Sequence, residues 1–266
     1  MNESRKYGRS LHAQISLGTT SDDRLMPSGY VKAFSEMKQL ILTEKLDGQN
    51  NCFNKYGVFA RSHTSPTVHP WDKPMRERWE LIKNDLKEIE IFGENMYGEH
   101  SIAYKKLESY FYVFAIREGE RWLSWEEVQF YAALLDFPTV PEIPITTTLA
   151  SMYQAAMDEN KVLANWLTEN LRMTWEKSVE TSGLLGGYDP ETGQSCSEGF
   201  VIRNAGEYEK NDGVIPVATN EFSNLFKLVR QAHVKTNIHW TKTWKPATLT
   251  NYTRYKWYGY EHLGTS

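Results

Sequence analysis

Leu40-Ile41-Leu42-Thr43-Glu44-Lys45-Leu46-Asp47-Gly48-Gln49-Asn50 passes within one short stretch from an apolar run into a polar turn and out again. The run reads as a buried strand over Gln39–Glu44, and a second strand begins at Asn50, so Lys45 sits at a strand-to-loop junction. A lysine presented there, with an acid two residues on and a glycine after it, suits a nucleophilic amine. With Lys, Asp and Gly each near 5 to 7% of residues, a K-x-D-G string occurs by chance in about one chain in fifteen of this length, so the neighbouring elements must decide its meaning.

Outward from that stretch, Asn50–Phe53 and Val58–Ala60 flank the turn Asn54, Lys55, Tyr56, Gly57 and read as a hairpin. Asp72 is placed to cap a helix with Pro74 in its first turn, and Trp79, Ile82, Leu86 and Ile89 recur at helical spacing, which predicts a helix over 73–87. Strands follow at Glu90–Asn95 and Tyr110–Ile116. Ser124 with Glu127 forms a capping-box pattern that opens a helix to about Asp136. A Pro138–Pro144 linker leads to two more helices, Thr147–Met157 and Asp158–Trp175. Strands return at Gly199–Arg203 and Phe222–Val229. Upstream, residues 1 to 38 are mixed, with a turn at Pro27, Ser28, Gly29 and a short helical stretch over Val31–Lys38. The pattern predicts an α+β fold of antiparallel sheets around a pocket, helices outside, and a helical insert near 124–175.

The 266 residues include 9 Trp, 15 Tyr and 11 Phe, ample for a core. A net charge of -4 and a pI near 6.0 argue against a globally basic nucleic-acid binder, so such contacts must come from a local patch. Cys52 and Cys196 are far apart and in no zinc-ligand spacing, which fits a reducing cytoplasm. The polar Met1–Ser10 segment and the lack of a long apolar run predict a soluble, intracellular protein with no membrane partner. Nothing calls for an obligate protein partner.

The polar residues that interrupt or end the apolar segments are, in order, Lys45, Asp47, Arg61, Glu94, Glu198 and Lys227. A lysine nucleophile, two carboxylates able to hold a divalent metal, and further cations for phosphate oxygens are the parts needed for attack on a nucleotide α-phosphate. In content and order these residues resemble the covalent nucleotidyltransferases, the superfamily of ATP-dependent DNA and RNA ligases and GTP-dependent capping enzymes. Glu44 to Gly48 resembles the nucleotidyl-lysine motif; Ala60, Arg61, Ser62 the next; Phe92, Gly93, Glu94 the third; and Tyr112 to Ile116 the aromatic strand. Glu198 to Arg203 is similar to the fourth, and Leu225, Phe226, Lys227 to the last. Asn50, five residues after the lysine, is similar to the RNA ligase 2-like branch.

The resemblance implies a two-sheet nucleotidyltransferase domain over 1–240, ATP and Mg2+ or Mn2+ as cofactors, RNA or RNA/DNA hybrid ends as partner, and a role in RNA repair. By the same resemblance Lys45 carries the adenylate, with Glu44 and Asn50 in the nucleotide site and Gly48 letting the backbone approach the nucleotide. Glu94 binds ribose, Phe114 stacks on adenine with Tyr110, Phe111 and Tyr112 as rivals, and Glu198 and Asp47 bind metal. Arg61, Lys227 and, less directly, Arg203 and Arg230 lie near ribose or phosphate. One departure stands out: the last motif usually carries two lysines two apart, and here the neighbours of Lys227 at that spacing are Leu225 and Val229. Arg230 falls on the opposite face of a regular strand. The basic and aromatic run through Arg230, Lys235, Lys242 and Lys245, with Trp240 and Trp244, suits a nucleic-acid strand, or equally a surface docked by two tryptophans; residues 241–266 read as a short tail. Too few residues flank the motifs for an OB domain. A GTP-dependent capping-type guanylyltransferase and a catalytically inactive nucleic-acid-binding module are the rival readings.

Overall fold

The Lys45 turn joins two sheets. The computed structural model describes residues 7, 10–13, 16, 18–19, 23, 25, 40–61, 65–144, 183–209, 224–230 and 240–250. The helices expected over Val31–Lys38, Thr147–Met157 and Asp158–Trp175, and Lys235, lie outside them. The first sheet has four strands in the order β1 (Leu11–His12), β12 (Leu225–Val229), β10 (Gly199–Asn204), β2 (Leu40–Lys45), antiparallel except for the parallel β1–β12 pair. The second has six, β11 (Tyr208–Glu209), β8 (Arg121–Trp122), β7 (Phe111–Glu118), β5 (Ile89–Asn95), β3 (Gln49–Asn54), β4 (Gly57–Ala60), all antiparallel. A short pair joins β6 (Ala103–Tyr104) to β9 (Gly187–Tyr188). The α+β, two-sheet expectation is borne out. Because β2 and β3 belong to different sheets, the Leu46–Gly48 turn carries the chain from one to the other, with Leu46 buried beneath it.

Strand alternation sorts the first sheet into two faces. Leu42, Phe200, Ile202, Phe226 and Leu228 are buried on one. The other carries Lys45, Thr43, Val201 and Lys227, aligned by the pairs Gly199–Lys45, Val201–Thr43 and Val201–Lys227. The Lys45 side chain therefore shares a face with Lys227. In the second sheet Phe53 stacks on Phe111 at 4.5 Å and meets Phe137 edge-on. Two helices cover this sheet, α1 (Lys73–Ile82) against β4 and α2 (Trp125–Leu134) against β7.

Local chemistry explains where these elements depart from the expected ones. The α2 capping box forms as anticipated, Ser124 and Glu127 each taking the other's backbone N–H. Asp72 does not cap α1: its buried carboxylate accepts hydrogen bonds from Thr67 Oγ1 (2.5 Å) and Asn95 Nδ2 (2.9 Å). The α1 helix stops at Ile82, short of residue 87, because Leu86 reaches the core through a turn that ends in Lys87 at a left-handed φ of 44°. The Pro138–Pro144 segment is no linker. Val113 N–H bonds Pro138 O (2.9 Å) and Val140 N–H bonds Val113 O (2.9 Å), while Glu44 N–H bonds Pro141 O (2.8 Å) and Ile143 N–H bonds Leu42 O (2.9 Å). One stretch of chain thus pairs with β7 of one sheet and β2 of the other. Residues 240–250 run along the 97–107 loop, with Glu99 N–H on Lys245 O (2.9 Å), Ala247 N–H on Tyr97 O (2.7 Å) and Thr250 N–H on Leu107 O (2.9 Å). Among the described residues no helix is long and apolar enough to cross a membrane.

Candidate active site

Lys45 is the last residue of β2, and its Nζ lies 2.6 Å from Glu198 Oε1. Glu198 reaches it because the next residue is glycine: a Cβ on Gly199 would stand 1.9 Å from Leu228 O, so only a bare backbone lets β10 enter the sheet at that point. Glu94, on β5 of the other sheet, accepts the Gly48 N–H at 3.2 Å. A side chain at Gly48 would collide with Asn95 O at 2.6 Å, so that glycine serves the approach of the turn to β5.

The electrostatics follow from this crowding. Burial pushes the Glu94 carboxyl up to about 8 and Glu198 to about 7, against the pull of the Lys45 ammonium on both. Burial acts to lower Lys45, yet Glu198, Glu94 and Asp47 outweigh it and hold the ammonium above its ordinary range. Lys227 is lowered, by burial and then by the Lys45 charge, with Arg61 adding to the effect, so these three cations share one region.

Asp47 is held through its backbone N–H and one carboxylate oxygen. Its N–H donates to Tyr104 Oη (2.9 Å), and its Oδ2 accepts from Ser101 N–H, Ser101 Oγ and Ile102 N–H, each at 2.9 Å. His100 Nδ1 stands 3.8 Å from Oδ1. Through Oδ2 the carboxylate expected to share a metal also anchors the Lys45 turn. Glu198 Oε2 and Asn50 Oδ1 are buried without a hydrogen-bond partner among the described residues. Asn50 is in register with Glu94, and Glu94 with Tyr112, which puts all three on one face.

The other expected residues make contacts of their own. Phe114 is buried beside the Tyr7 ring at 5.0 Å and lines a small cavity with Trp122, Trp125 and Val128. Of the rival aromatics Tyr112 shares the Glu94 face. Arg203 is an inter-sheet brace: its Nη1 donates to Phe114 O, its Nη2 reaches Thr43 Oγ1 at 3.5 Å, and its guanidinium lies over the Trp125 ring. Glu44 points to the opposite face of β2 from Lys45 and accepts the Leu184 N–H at 2.8 Å; burial pushes it up to about 7. Arg230 lies just past β12, its N–H on Glu198 O (2.9 Å) and its guanidinium buried, with Nε and Nη2 lacking partners among the described residues. Lys242 and Lys245 are exposed. The tryptophans beside them are docked: Trp240 stacks on His100 at 3.9 Å and meets Trp71 at 5.2 Å, and Trp244 lies 5.8 Å from Tyr97.

A residue passed over in the sequence is His12. It is in register with Lys227 on the neighbouring β1, on the same face, and a two-residue strand carries no periodicity that would have revealed it. Among the described residues no group of three or more His, Cys, Asp or Glu side chains is arranged to hold a metal ion. The unpartnered Glu198 oxygen and the nearby Glu94 are hard donors that fit Mg2+ or Mn2+ held by one or two carboxylates and substrate phosphates.

No curated protein matches the chain. Similar solved structures include a Naegleria gruberi RNA ligase with ATP and Mn (16% identity, 86% of this chain and 61% of that one, TM-score 0.43). A Naegleria gruberi RNA ligase with PPi gives 15% identity, 89% and 63% coverage and a TM-score of 0.44. An archaeal ATP-dependent RNA ligase gives 13% identity, 85% and 48% coverage and a TM-score of 0.44. The chain spans 48% to 63% of the length of these structures, and at this similarity they add no argument of their own. The RNA ligase family model matches residues 38–229, a span that holds Lys45, Asp47, Arg61, Glu94, Glu198 and Lys227, and the chain belongs to the RNA ligase family.

Proposed function

We propose that this protein is an ATP-dependent RNA ligase that joins 5′-phosphate and 3′-hydroxyl ends through a lysyl-adenylate and an adenylated 5′ end. The observation that carries the reading is Lys45 Nζ at 2.6 Å from Glu198, with Glu94 raised beside it, inside the span matched by the family. In the first step Lys45 Nζ forms a bond to the α-phosphorus, the bond to the β-phosphate oxygen breaks, and pyrophosphate leaves. Lys45 must first give up a proton, and Glu198 is the base in contact with it. The 5′-phosphate oxygen of the RNA then takes the adenylyl group from Lys45, and the 3′-hydroxyl attacks that phosphate to release AMP.

Glu94 and Asn50 are the polar groups of the ribose and base side, with Tyr112 as the aromatic on that face. Lys227 and Arg61 hold phosphate oxygens. Glu198 would hold a divalent cation jointly with the nucleotide's phosphates, which supplies positive charge to the departing pyrophosphate. Asp47 keeps the turn in place. Arg230, Lys242 and Lys245 contribute charge toward RNA, while Trp240 and Trp244 anchor the tail segment. Residues 1–240 form the adenylation domain in this reading, and Cys52 and Cys196, both buried and in no disulfide, suit the cytoplasm.

Incubation with α-labelled ATP, against α-labelled GTP, gives a labelled chain with ATP that is lost in Lys45→Ala and Lys45→Arg. Labelling by GTP alone would assign a capping-type enzyme, and none by either an inactive binding module. A ligation panel of 5′-phosphorylated RNA, DNA and hybrid ends then defines the substrate.

A further inference from the structure

The segment before the family match wraps the strand that bears Lys227. β1 pairs with β12 so that His12 stands beside Lys227, and Ala13 N–H and Gly18 N–H bond Lys227 O (2.9 Å) and Val229 O (2.8 Å). His12 is buried. Its Nδ1 lies 2.9 Å from Ser16 Oγ, which takes the Val229 N–H at 3.0 Å. With Val229 O, the other acceptor of the Ser16 hydroxyl, farther at 3.4 Å, the hydroxyl proton is assigned to Nδ1 on the shorter contact and the ring N–H to Nε2. Burial and the Lys227 ammonium push His12 down to about 4, which leaves the ring neutral near pH 7.

His12 Nε2 is 3.1 Å from Asp23 Oδ1, without alignment for a full hydrogen bond, and Lys227 Nζ is 3.6 Å from the same oxygen. One carboxylate oxygen thus lies between an imidazole and an ammonium on the face that carries Lys45. A phosphate oxygen has the same acceptor chemistry.

We propose that His12 and Lys227 form a subsite for the terminal phosphates of the nucleotide, and that Asp23 occupies it as an internal anion until those phosphates displace it. His12 then supplies, as an N–H donor from a neighbouring strand, what a second lysine two residues from Lys227 would otherwise supply. The inference rests on the ligase reading for the identity of the nucleotide, but the subsite itself is tested without it.

The probe is inorganic pyrophosphate, titrated calorimetrically into the full chain at fixed ionic strength. The Asp23 side chain is one-quarter exposed, so Asp23→Asn keeps the fold. It tightens pyrophosphate binding about threefold to tenfold, whereas His12→Ala and Lys227→Ala each weaken it about tenfold or more. His12→Gln, which retains an N–H donor, binds closer to wild type than His12→Ala, and melting temperatures are recorded for each variant. In the His12→Ala background the gain from Asp23→Asn falls below about twofold, because the two act on one oxygen. Weaker or unchanged binding by Asp23→Asn, unchanged binding by His12→Ala, or an undiminished gain in the double variant overturns the subsite. Absence of lysyl-adenylate with these pyrophosphate effects intact overturns the ligase reading alone.

Discussion

Two buried acid–base pairs in this molecule have opposite characters. Arg117 is fully buried on β7 and grips its cross-strand partner Glu90 through Nε (2.8 Å) and Nη2 (2.6 Å), with its guanidinium about 5 Å from the Phe92 and Trp122 rings. Lys45 meets Glu198 through a single contact, leaves Glu198 Oε2 without a partner among the described residues, and faces two further carboxylates. In the first pair two donors of a flat guanidinium converge on one carboxylate oxygen, Glu90 Oε2, beside aromatic faces, which locks the geometry. The second gathers three acids around one ammonium, buried carboxyls whose ionised forms cost stability until a further cation joins them. A site that must exchange protons and ligands is left with unfilled acceptors, and a strut is not.

The sharpest way to break that contrast is to remove the basic partner from each pair. Lys45→Ala reduces chain adenylylation by at least about a thousandfold, while its melting temperature stays within a few degrees of wild type. Arg117→Met leaves Glu90 buried without its cation and destabilises the fold by about 3 to 5 kcal/mol, seen in denaturant melts, yet adenylylation per folded molecule remains within about twofold. If Arg117→Met abolishes chemistry without loss of stability, the distinction fails. Glu198→Gln comes next, lowering adenylylation about a hundredfold to a thousandfold with unchanged nucleotide binding order.

A pH series sharpens the comparison further. Carboxyls raised from 4.5 to about 7 and about 8 on folding keep protons that the unfolded chain releases. The stability that these two carboxyls contribute therefore falls as pH rises from about 4.5 to 8 and levels off above. Lys45, raised from 10.5, adds stability throughout that window and loses it only at higher pH. Thermal melts of Glu94→Gln show a flatter slope between pH 5 and 8 than wild type; an identical slope would refute the assignment. The smallest effect belongs to the basic run: Lys235→Ala, Lys242→Ala and Lys245→Ala combined weaken RNA binding a few-fold and flatten its salt dependence, measured by anisotropy.

Much of the site was legible because order along the chain survives folding. Lys45, Arg61, Glu94, Glu198 and Lys227 each end or interrupt an apolar strand, and the sheets bring them into one region. What escaped depends on register and on partners far away in sequence. The facing of Tyr112 and Phe114 could not be read because β7 is apolar or aromatic at successive positions, and the bulge at Phe92/Gly93 sets its register against β5. His12 lies on a strand too short for a pattern, and its meaning comes only from pairing with β12. Asp72 had the position of a helix cap, but Thr67 and Asn95 offered its carboxylate stronger partners in the interior. The paired prolines Pro138 and Pro141 suggested a linker, since proline lacks an N–H; their carbonyls, which proline keeps, are what bind both sheets.

That doubly bonded stretch gives the molecule a single opening unit. The amides of Val113 and Val140 exchange their protons only when the segment lifts from β7, and those of Glu44 and Ile143 only when it lifts from β2. Since the same few residues carry both sets, a fluctuation that frees one strains the other, and solvent deuterium enters all four sites on one timescale, with the Glu44 amide next to Lys45 protected by a contact from far along the chain.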